Sequence, residues 1–436
     1  MHDALSAVDI LNDELAQRRE TNYDVSALEA RAASLDPLTD EAELWALVDA
    51  TEGAEQGGWN YVEPSARDEI LAVLPPDTGA GRPPESIVRD KILGGWQGRI
   101  AGCNLGKPVE QGEHWTRAHL KEYLEMVDAY PLLDYIPKSD EEIEGYEFRE
   151  NWLYTTRGRV HGSARDDDID YAILGTHLLA KYGRRYTSAD VAFEWLSLLP
   201  FLQTYTAERV AMRNLIHGMV PPTTARYRNP YREWIGAQIR ADAYGWVNPG
   251  APREAALLAY ADAALSHVAN GIYGEMWAAA LVAAAFTAAD AREALEVSVQ
   301  HIPPQSRLAE ALHDVLSWHA AGLSWSEALD NIDKAYGHYS WVHTINNAAA
   351  VAAGLLWADG DFSAAIGLTV QAGMDTDSNG ATAGSVAGVL VGASGIPRHW
   401  VDPLEDRVTT AVFGYDNVTI GSLAERTIDL VEMGPR

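Results

Sequence analysis

Apolar residues recur at every third or fourth position along most of this 436-residue chain, the spacing that gathers them on one face of an α-helix. This pattern predicts helices over 86–102, 169–181, 188–198, 206–217, 254–268, 272–287, 292–299, 306–320, 345–357, 363–372, 379–394 and 421–432. Strand-like alternation bounded by hairpin dipeptides is scarce. We therefore expect an all-α protein built around a large orthogonal helical domain.

The beginning of the chain differs from the rest. It alternates two helix-like stretches, ALSAVDILNDELAQ and EAELWALVDA, with polar turns. Proline and glycine then concentrate in the sequence LPPDTGAGRPPES, which is typical of a linker. We predict a small N-terminal helical segment over 1–74, a linker over 75–85 and the large domain over 86–436.

Two of the predicted helices carry glycine at every fourth position. These glycines are Gly94, Gly98, Gly102 and Gly106 in one helix, and Gly380, Gly384, Gly388 and Gly392 in the other. Each glycine inside a helix costs up to about 1 kcal/mol relative to alanine, so a stripe of four needs a reason. Close approach of another helix supplies that reason, and tight packing explains the glycines without any chemistry.

Composition and charge narrow the class of protein. The 63 acidic and 33 basic residues give a net charge of −30, which repels nucleic acid and anionic membranes and disfavours nucleic-acid binding. Cys103 is the only cysteine, so an intramolecular disulfide is excluded, as is a cysteine-based zinc cluster, and a reducing cytoplasm is favoured. The N-terminal sequence lacks a signal-peptide pattern, and no apolar run is long enough to cross a bilayer. We predict neither export nor a membrane span.

Three consecutive aspartates, Asp166, Asp167 and Asp168, open the predicted helix at 169–181. Helix capping explains one of them, because a carboxylate is favoured at the positive end of the helix dipole. Three in succession bring like charges together, and a hard divalent cation is the usual way to hold them. Capping and metal binding both stay open for this cluster on its own.

A second acidic cluster precedes the glycine-striped helix at 379–394. Asp375, Asp377 and Ser378 offer an all-oxygen set that suits Mg²⁺ or Mn²⁺ better than zinc. Their spacing is not that of an EF-hand loop. Because a two-metal site takes carboxylates from separate elements, the two clusters together favour a metal centre.

Glu110 ends a third stretch, GGWQGRIAGCNLGKPVE, just past the other glycine-striped helix. Gly106 and Lys107 within it do not form a phosphate-binding P-loop, since Pro108 stands where Ser or Thr is required. The segment 392–395 does not complete a nucleophile elbow, and no H-E-x-x-H motif occurs. Serine-hydrolase and zinc-protease chemistry therefore have no support.

In this order, the three stretches resemble the motifs of the ADP-ribosylglycohydrolase family. Residues 98–110 are similar to its G-x-x-x-G-D-A-x-G-x-x-x-E, 166–169 to its [ST]-D-D-T and 373–378 to its G-x-D-T-D-[ST]. More weakly, 236–240 resembles its N-G-A-x-M-R segment and 266–267 its T-H pair. The resemblance covers about residues 86–436 and implies an all-helical glycosidase.

The resemblance also implies two Mg²⁺ or Mn²⁺ ions and a set of site residues. By position, the metal ligands would be Asp166, Asp167, Asp168, Asp375, Asp377 and Ser378. Glu110 matches the glutamate near the scissile bond, and Glu110 or Asp168 would act as general base. The ions would hold ribose hydroxyls and a water that attacks the anomeric carbon. The substrate implied is an ADP-ribosyl conjugate, or a related small ribosyl or nucleoside compound, with an N- or O-glycosidic bond.

Some positions depart from the family motifs. Asp166 replaces Ser or Thr, Ile169 replaces Thr, and Cys103 stands where the family often has Asp. The extra carboxylate adds negative charge, which favours metal binding and opposes a diphosphate-bearing substrate.

Polar residues beside apolar helices give candidates for substrate binding. These are Arg240, Tyr273, Glu275, His343 and Asn346, with Asp242 and Asn347 as further pocket candidates. Buried hydrogen-bond networks and helix caps give the same pattern, so both interpretations stay open.

Three functions are compatible with these residues. The first is a metal-dependent glycosidase, the second a catalytically silent ligand-binding homologue, and the third a metal-dependent phosphoester hydrolase. Both acidic clusters and Glu110 are present, which argues against the silent homologue. The partner we expect is a small glycoside or an ADP-ribosylated substrate. The sequence leaves the oligomeric state and the role of residues 1–74 open.

Overall fold

The computed structural model describes residues 5–77, 79 and 81–432. Within them the chain forms 22 α-helices: α1 (Ala7–Glu20), α2 (Ser26–Ala32), α3 (Glu41–Ala50), α4 (Arg67–Val73), α5 (Glu85–Gly106), α6 (Arg117–Met126), α7 (Trp152–Thr155), α8 (Asp167–Tyr182), α9 (Ser188–Leu198), α10 (Thr206–Ile216), α11 (Thr223–Arg226), α12 (Asp242–Trp246), α13 (Pro252–Ala263), α14 (Ala269–Ala285), α15 (Ala291–Ser298), α16 (Arg307–Ala320), α17 (Trp325–Tyr336), α18 (Thr344–Trp357), α19 (Phe362–Gln371), α20 (Thr376–Val391), α21 (Arg398–Val401) and α22 (Ile420–Glu432). Two short strands, β1 (Tyr23–Asp24) and β2 (Glu55–Gln56), pair antiparallel, with Tyr23 opposite Gln56.

The prediction of an all-α protein is confirmed, with 62% of the chain in helix and 2% in strand. Each of the twelve helices predicted from periodicity corresponds to a helix of the structure. The longest helices that the sequence missed are α6 and α17, because each buries only three or four residues between charged ones. None of the helices in the described part of the chain has the length and apolar character needed to span a membrane.

Helix α14 lies at the centre of the large domain. All of its residues, 269–285, are buried, and apolar residues lie on every side of it. Such a helix is stable only where other helices surround it. Here α13, α12, α15, α18 and α20 pack around it.

Helices α5 and α20 pack against each other through their glycine stripes and run antiparallel. A side chain at Gly98 or Gly102 would overlap the backbone carbonyl of Gly384 or Gly380, so the two backbones are in direct contact. The predicted close helix–helix approach is thus confirmed. Gly392 has a different role from the other glycines: it ends α20 with φ 73°, a conformation that favours glycine.

The N-terminal segment is anchored to the large domain. Apolar residues of α1 and α3 form one hydrophobic cluster with five residues of the large domain: Ala207, Val210, Tyr231, Trp234 and Val342. Ion pairs reinforce the contact, since Arg232 binds Glu14 at 2.6 Å and Arg307 binds Glu63 at 3.0 Å. The boundary at 75–85 stays a prediction. Residues 1–4, 78, 80 and 433–436, which belong to the predicted segment, linker and domain, lie outside the described residues.

Candidate active site

The antiparallel packing of α5 and α20 joins two of the predicted motifs. The last turn of α5 meets the first turn of α20, where the Thr376 hydroxyl donates a hydrogen bond to the Gly106 carbonyl at 2.8 Å. The chain then turns through a 3₁₀ helix, Lys107–Val109, to Glu110. As a result, Glu110 lies beside Asp375 and Asp377, although they are far apart in sequence.

The third motif, residues 166–168 at the start of α8, is held beside α5 by Arg99, a fully buried residue of α5. Its guanidinium donates to the Asp168 carbonyl, from Nε at 2.9 Å and from Nη2 at 2.7 Å. The same side chain forms an ion pair with Asp242, whose carboxylate is also buried. Arg99 therefore fixes the first turn of α8 against α5, and Asp242 balances its charge.

Asp166, Asp167 and Asp168 form the first of two acidic triads at this point; we call it the α8 triad. One ligand atom from each lies within 4.8 Å of the others. Asp166 caps α8, with Oδ1 accepting a hydrogen bond from the Asp168 N–H at 2.9 Å. The Ser378 hydroxyl donates to Asp168 Oδ2 at 3.1 Å, which ties α8 to the start of α20.

Glu110, Asp375 and Asp377 form the second triad, here called the Glu110 triad, with the same 4.8 Å limit between ligand atoms. Asp375 is positioned by Asn347, whose side-chain oxygen accepts from the Asp375 N–H at 3.2 Å. Arg149 lies at the edge, with Nη1 3.3 Å from Glu110 Oε1. This triad therefore gathers three carboxylates that face one another.

Burial strongly disfavours the charged forms of these carboxyl groups. It raises the pKa of Glu110 and of Asp375 well above the usual range, and the carboxylate of Asp377 raises both further. Burial likewise raises the pKa of Asp168, against the opposing effect of Arg99. Such a set becomes fully ionised only when a cation joins it. A hard divalent cation fits this all-oxygen set.

Lys107 lies between the two triads. Its ammonium contacts Asp166 and lies 3.8 Å from Asp377 Oδ2. Burial lowers the pKa of Lys107, but the carboxylates of Asp377 and Glu110 outweigh burial and raise it. The side chain therefore carries a positive charge inside the site.

A family model described as ADP-ribosylglycohydrolase matches residues 84–434. The chain belongs to the ADP-ribosylglycohydrolase family. Among solved structures it is similar to an "ADP-ribosylglycohydrolase-related protein complex", with 19% identity and a TM-score of 0.44. That match covers 80% of this chain and 99% of the other. No curated protein matches the sequence.

In this member of the ADP-ribosylglycohydrolase family, the structure brings the predicted metal ligands together. Asp166, Asp167 and Asp168 form one triad, Asp375 and Asp377 belong to the other, and Ser378 bridges them through Asp168. Glu110, predicted to be catalytic, lies in the same triad as the second aspartate pair. The roles of these residues stay predictions, which the proposal below takes up.

The five predicted substrate-binding residues, unlike the predicted metal ligands, lie outside the two triads. Arg240 and Glu275 belong to a fully buried ion-pair network in which Arg240 also binds Glu208 and Asp262. The hydroxyl of Tyr273, also buried, donates to the Pro64 carbonyl. These three side chains already have protein partners, so we leave them out of the proposed site. Their role in binding substrate stays a prediction.

His343 and Asn346 support the loop that precedes α18. His343 Nδ1 accepts from the Ile345 N–H at 3.2 Å, and Asn346 donates to the Ser340 carbonyl at 3.0 Å. Asn347, the further candidate beside them, is the residue that positions Asp375. For His343 and Asn346, too, a contact with substrate stays a prediction.

Sequence reasoning missed the cations of the site. In the sequence Lys107 is part of an incomplete P-loop, although a lysine three residues before a candidate catalytic glutamate is a usable signal. Arg99 lies on a predicted helix near the glycine stripe, and its polarity within an apolar face was a weaker signal. Arg149 lies in an irregular segment whose sequence carries no such signal.

Proposed function

We propose that this protein is a divalent-cation-dependent glycoside hydrolase that cleaves an N- or O-glycosidic bond. Its substrate would be an ADP-ribosyl conjugate or a related small ribosyl or nucleoside compound. One observation carries the proposal: six carboxylates, from just beyond the end of α5 and from the starts of α8 and α20, converge in two largely buried triads. Family membership supports the same reaction class. A cytoplasmic location stays a prediction.

The residues proposed to hold the cation are those predicted from the sequence: Asp166, Asp167, Asp168, Asp375, Asp377 and Ser378. When bound, Mg²⁺ or Mn²⁺ would polarise sugar hydroxyls and lower the pKa of a water molecule. The need for a cation is strongest in the Glu110 triad, where Arg149 reaches only Glu110.

Glu110 is the better placed of the two predicted catalytic carboxylates. Its side chain is 22% exposed, so a water molecule and a substrate can reach it. Asp168 is buried, and its two oxygens already bind Arg99 and Ser378. We therefore assign the general base to Glu110 and not to Asp168.

The test is product analysis with ADP-ribosyl-arginine, ADP-ribosyl-serine and simple nucleosides, with Mg²⁺ or with a chelator. We expect release of ADP-ribose or ribose that depends on Mg²⁺. Glu110→Gln should lower kcat about 10²- to 10⁴-fold, the usual contribution of a general base. The matched control is Glu113→Gln, which changes an exposed carboxylate of the same loop and should leave kcat unchanged.

Each other outcome has a clear meaning. Undiminished turnover by Glu110→Gln would remove Glu110 from the mechanism. Inorganic phosphate as the product would indicate a phosphoester hydrolase. Binding without turnover of any substrate would indicate a silent homologue, and the proposal would then be abandoned.

A further inference from the structure

Lys107 is a cation built into the chain at the place where the two triads meet. Its side chain is 13% exposed, and its ammonium contacts Asp166. The same ammonium lies 3.8 Å from Asp377 in the other triad. A lysine ammonium is a compact point charge with three donors, so it can neutralise carboxylates much as a small cation does.

The α8 triad has few ligand atoms left. Asp166 uses Oδ1 to cap α8 and Oδ2 to contact Lys107. Asp168 receives Arg99 at Oδ1, 3.3 Å away, and Ser378 at Oδ2, 3.1 Å away. Asp168 thus has a protein donor at each oxygen, whereas Asp166 Oδ2 contacts the Lys107 ammonium without a hydrogen bond.

The Glu110 triad is different. Lys107 approaches it only at Asp377 and at 3.8 Å, and Arg149 reaches Glu110 from the side. Asp375 is held through its backbone N–H, and its carboxylate faces those of Glu110 and Asp377. The oxygen atoms that can face a metal ion are therefore concentrated in this triad.

We propose that Lys107 takes the place of one of the two divalent cations that the family resemblance implies. The protein then binds a single divalent ion, held by Asp375 and Asp377 beside the general base Glu110, while Lys107 neutralises the α8 triad; this narrows the ligand set given for the proposed function. This inference rests on the proposed function, since it concerns the cation content of the same site. It explains how Asp166 is tolerated, because its extra negative charge is paired with Lys107.

The test counts metal ions on the full-length protein. The chain is stripped with a chelator and titrated with Mn²⁺, and bound ions are counted by calorimetry and by elemental analysis. Electron paramagnetic resonance then separates an isolated Mn²⁺ from a magnetically coupled pair. We expect one isolated ion per wild-type chain.

One variant at Lys107 should change the number of bound Mn²⁺ ions, and two other variants serve as controls. Lys107→Met combined with Asp166→Ser removes the ammonium together with its partner carboxylate, and should raise the count from one ion to a coupled pair. Lys107→Arg keeps the charge and should stay at one. Lys121→Met changes an exposed lysine paired with Glu125 on α6 and should also stay at one.

The number of Mn²⁺ ions bound to the wild-type protein tests the role of Lys107 even if a variant fails to fold. Two coupled ions on the wild-type chain would overturn the role of Lys107 while leaving the proposed glycosidase intact. No bound ion, together with turnover that is unaffected by a chelator, would overturn both this inference and the metal dependence of the proposed function.

Discussion

Arg240 and the Glu110 triad are the centres of two buried clusters that both hold more carboxylates than cations. Around Arg240, the guanidinium contacts Glu208, Asp262 and Glu275, and both Arg240 and Glu275 are fully inaccessible to solvent. In the Glu110 triad the carboxylates face one another, and Glu110 itself is 22% exposed.

The excess negative charge of the two clusters can be neutralised in different ways. Protons can neutralise it in both clusters, since burial raises the pKa of Glu208 to about 7 and those of Glu275 and Glu110 well above the usual range. The Glu110 triad is also open to a cation from solvent, because Glu110 is 22% exposed. We therefore expect an excess of buried carboxylates to bind a cation only where solvent can reach them.

The largest effect we predict comes from removing the cation of the sealed cluster. Arg240→Met leaves three carboxylates without their common partner and should lower the free energy of unfolding by about 3–5 kcal/mol. Urea denaturation in the presence of a chelator measures the change. Arg292→Met, which breaks an exposed pair with Glu296 within α15, is the control and should cost under about 1 kcal/mol. Equal losses in the two variants would remove the distinction on which the comparison rests.

A smaller effect is expected at Glu20, a mostly buried carboxylate of α1. Burial raises its pKa from 4.5 to about 7, against the opposing hydrogen bond that it accepts from the Ser340 N–H. The folded protein keeps this proton where the unfolded chain releases it, so stability falls as the pH rises from about 4.5 to 7. Glu20→Gln should remove that loss and be about 1–3 kcal/mol more stable than wild type at pH 8.

Urea denaturation of Glu20→Gln and wild type at pH 5 and pH 8 measures this difference. At pH 5 the two proteins should differ little. Glu52→Gln changes an exposed carboxylate of the same segment and should follow wild type at both pH values. A Glu20→Gln variant that is less stable at pH 8 would show that the ionised carboxylate is stabilising instead.

Much of the fold followed from local patterns. Helical periodicity gave most of the helices, and the glycine stripes of α5 and α20 gave a close helix contact, because both are properties of single elements. The packing of the two stripes against each other is a tertiary contact, which the sequence pattern did not predict. It is this pairing that places Glu110 beside Asp375.

The site was predicted less completely than the fold. The acidic clusters stood out because consecutive or alternate aspartates at a helix start are a local signal. The contact between Lys107 and Asp166 depends on how α5 and α8 pack, so no local pattern predicted it. Arg240 looked like a pocket residue because a buried network and a ligand site share the same mixture of polar and apolar neighbours.

The most direct test of the Glu110 triad as a cation site is the free energy of unfolding with and without Mn²⁺, for wild type and Asp375→Asn. Without metal, Asp375→Asn should be no less stable than wild type, because it relieves repulsion within the triad. A ligand at a hundred times its Kd stabilises a protein by about 2.7 kcal/mol, and only wild type should gain on this scale. If Asp375→Asn instead lost stability as Arg240→Met does, and Mn²⁺ stabilised neither protein, the triad would be structural and the account would be wrong.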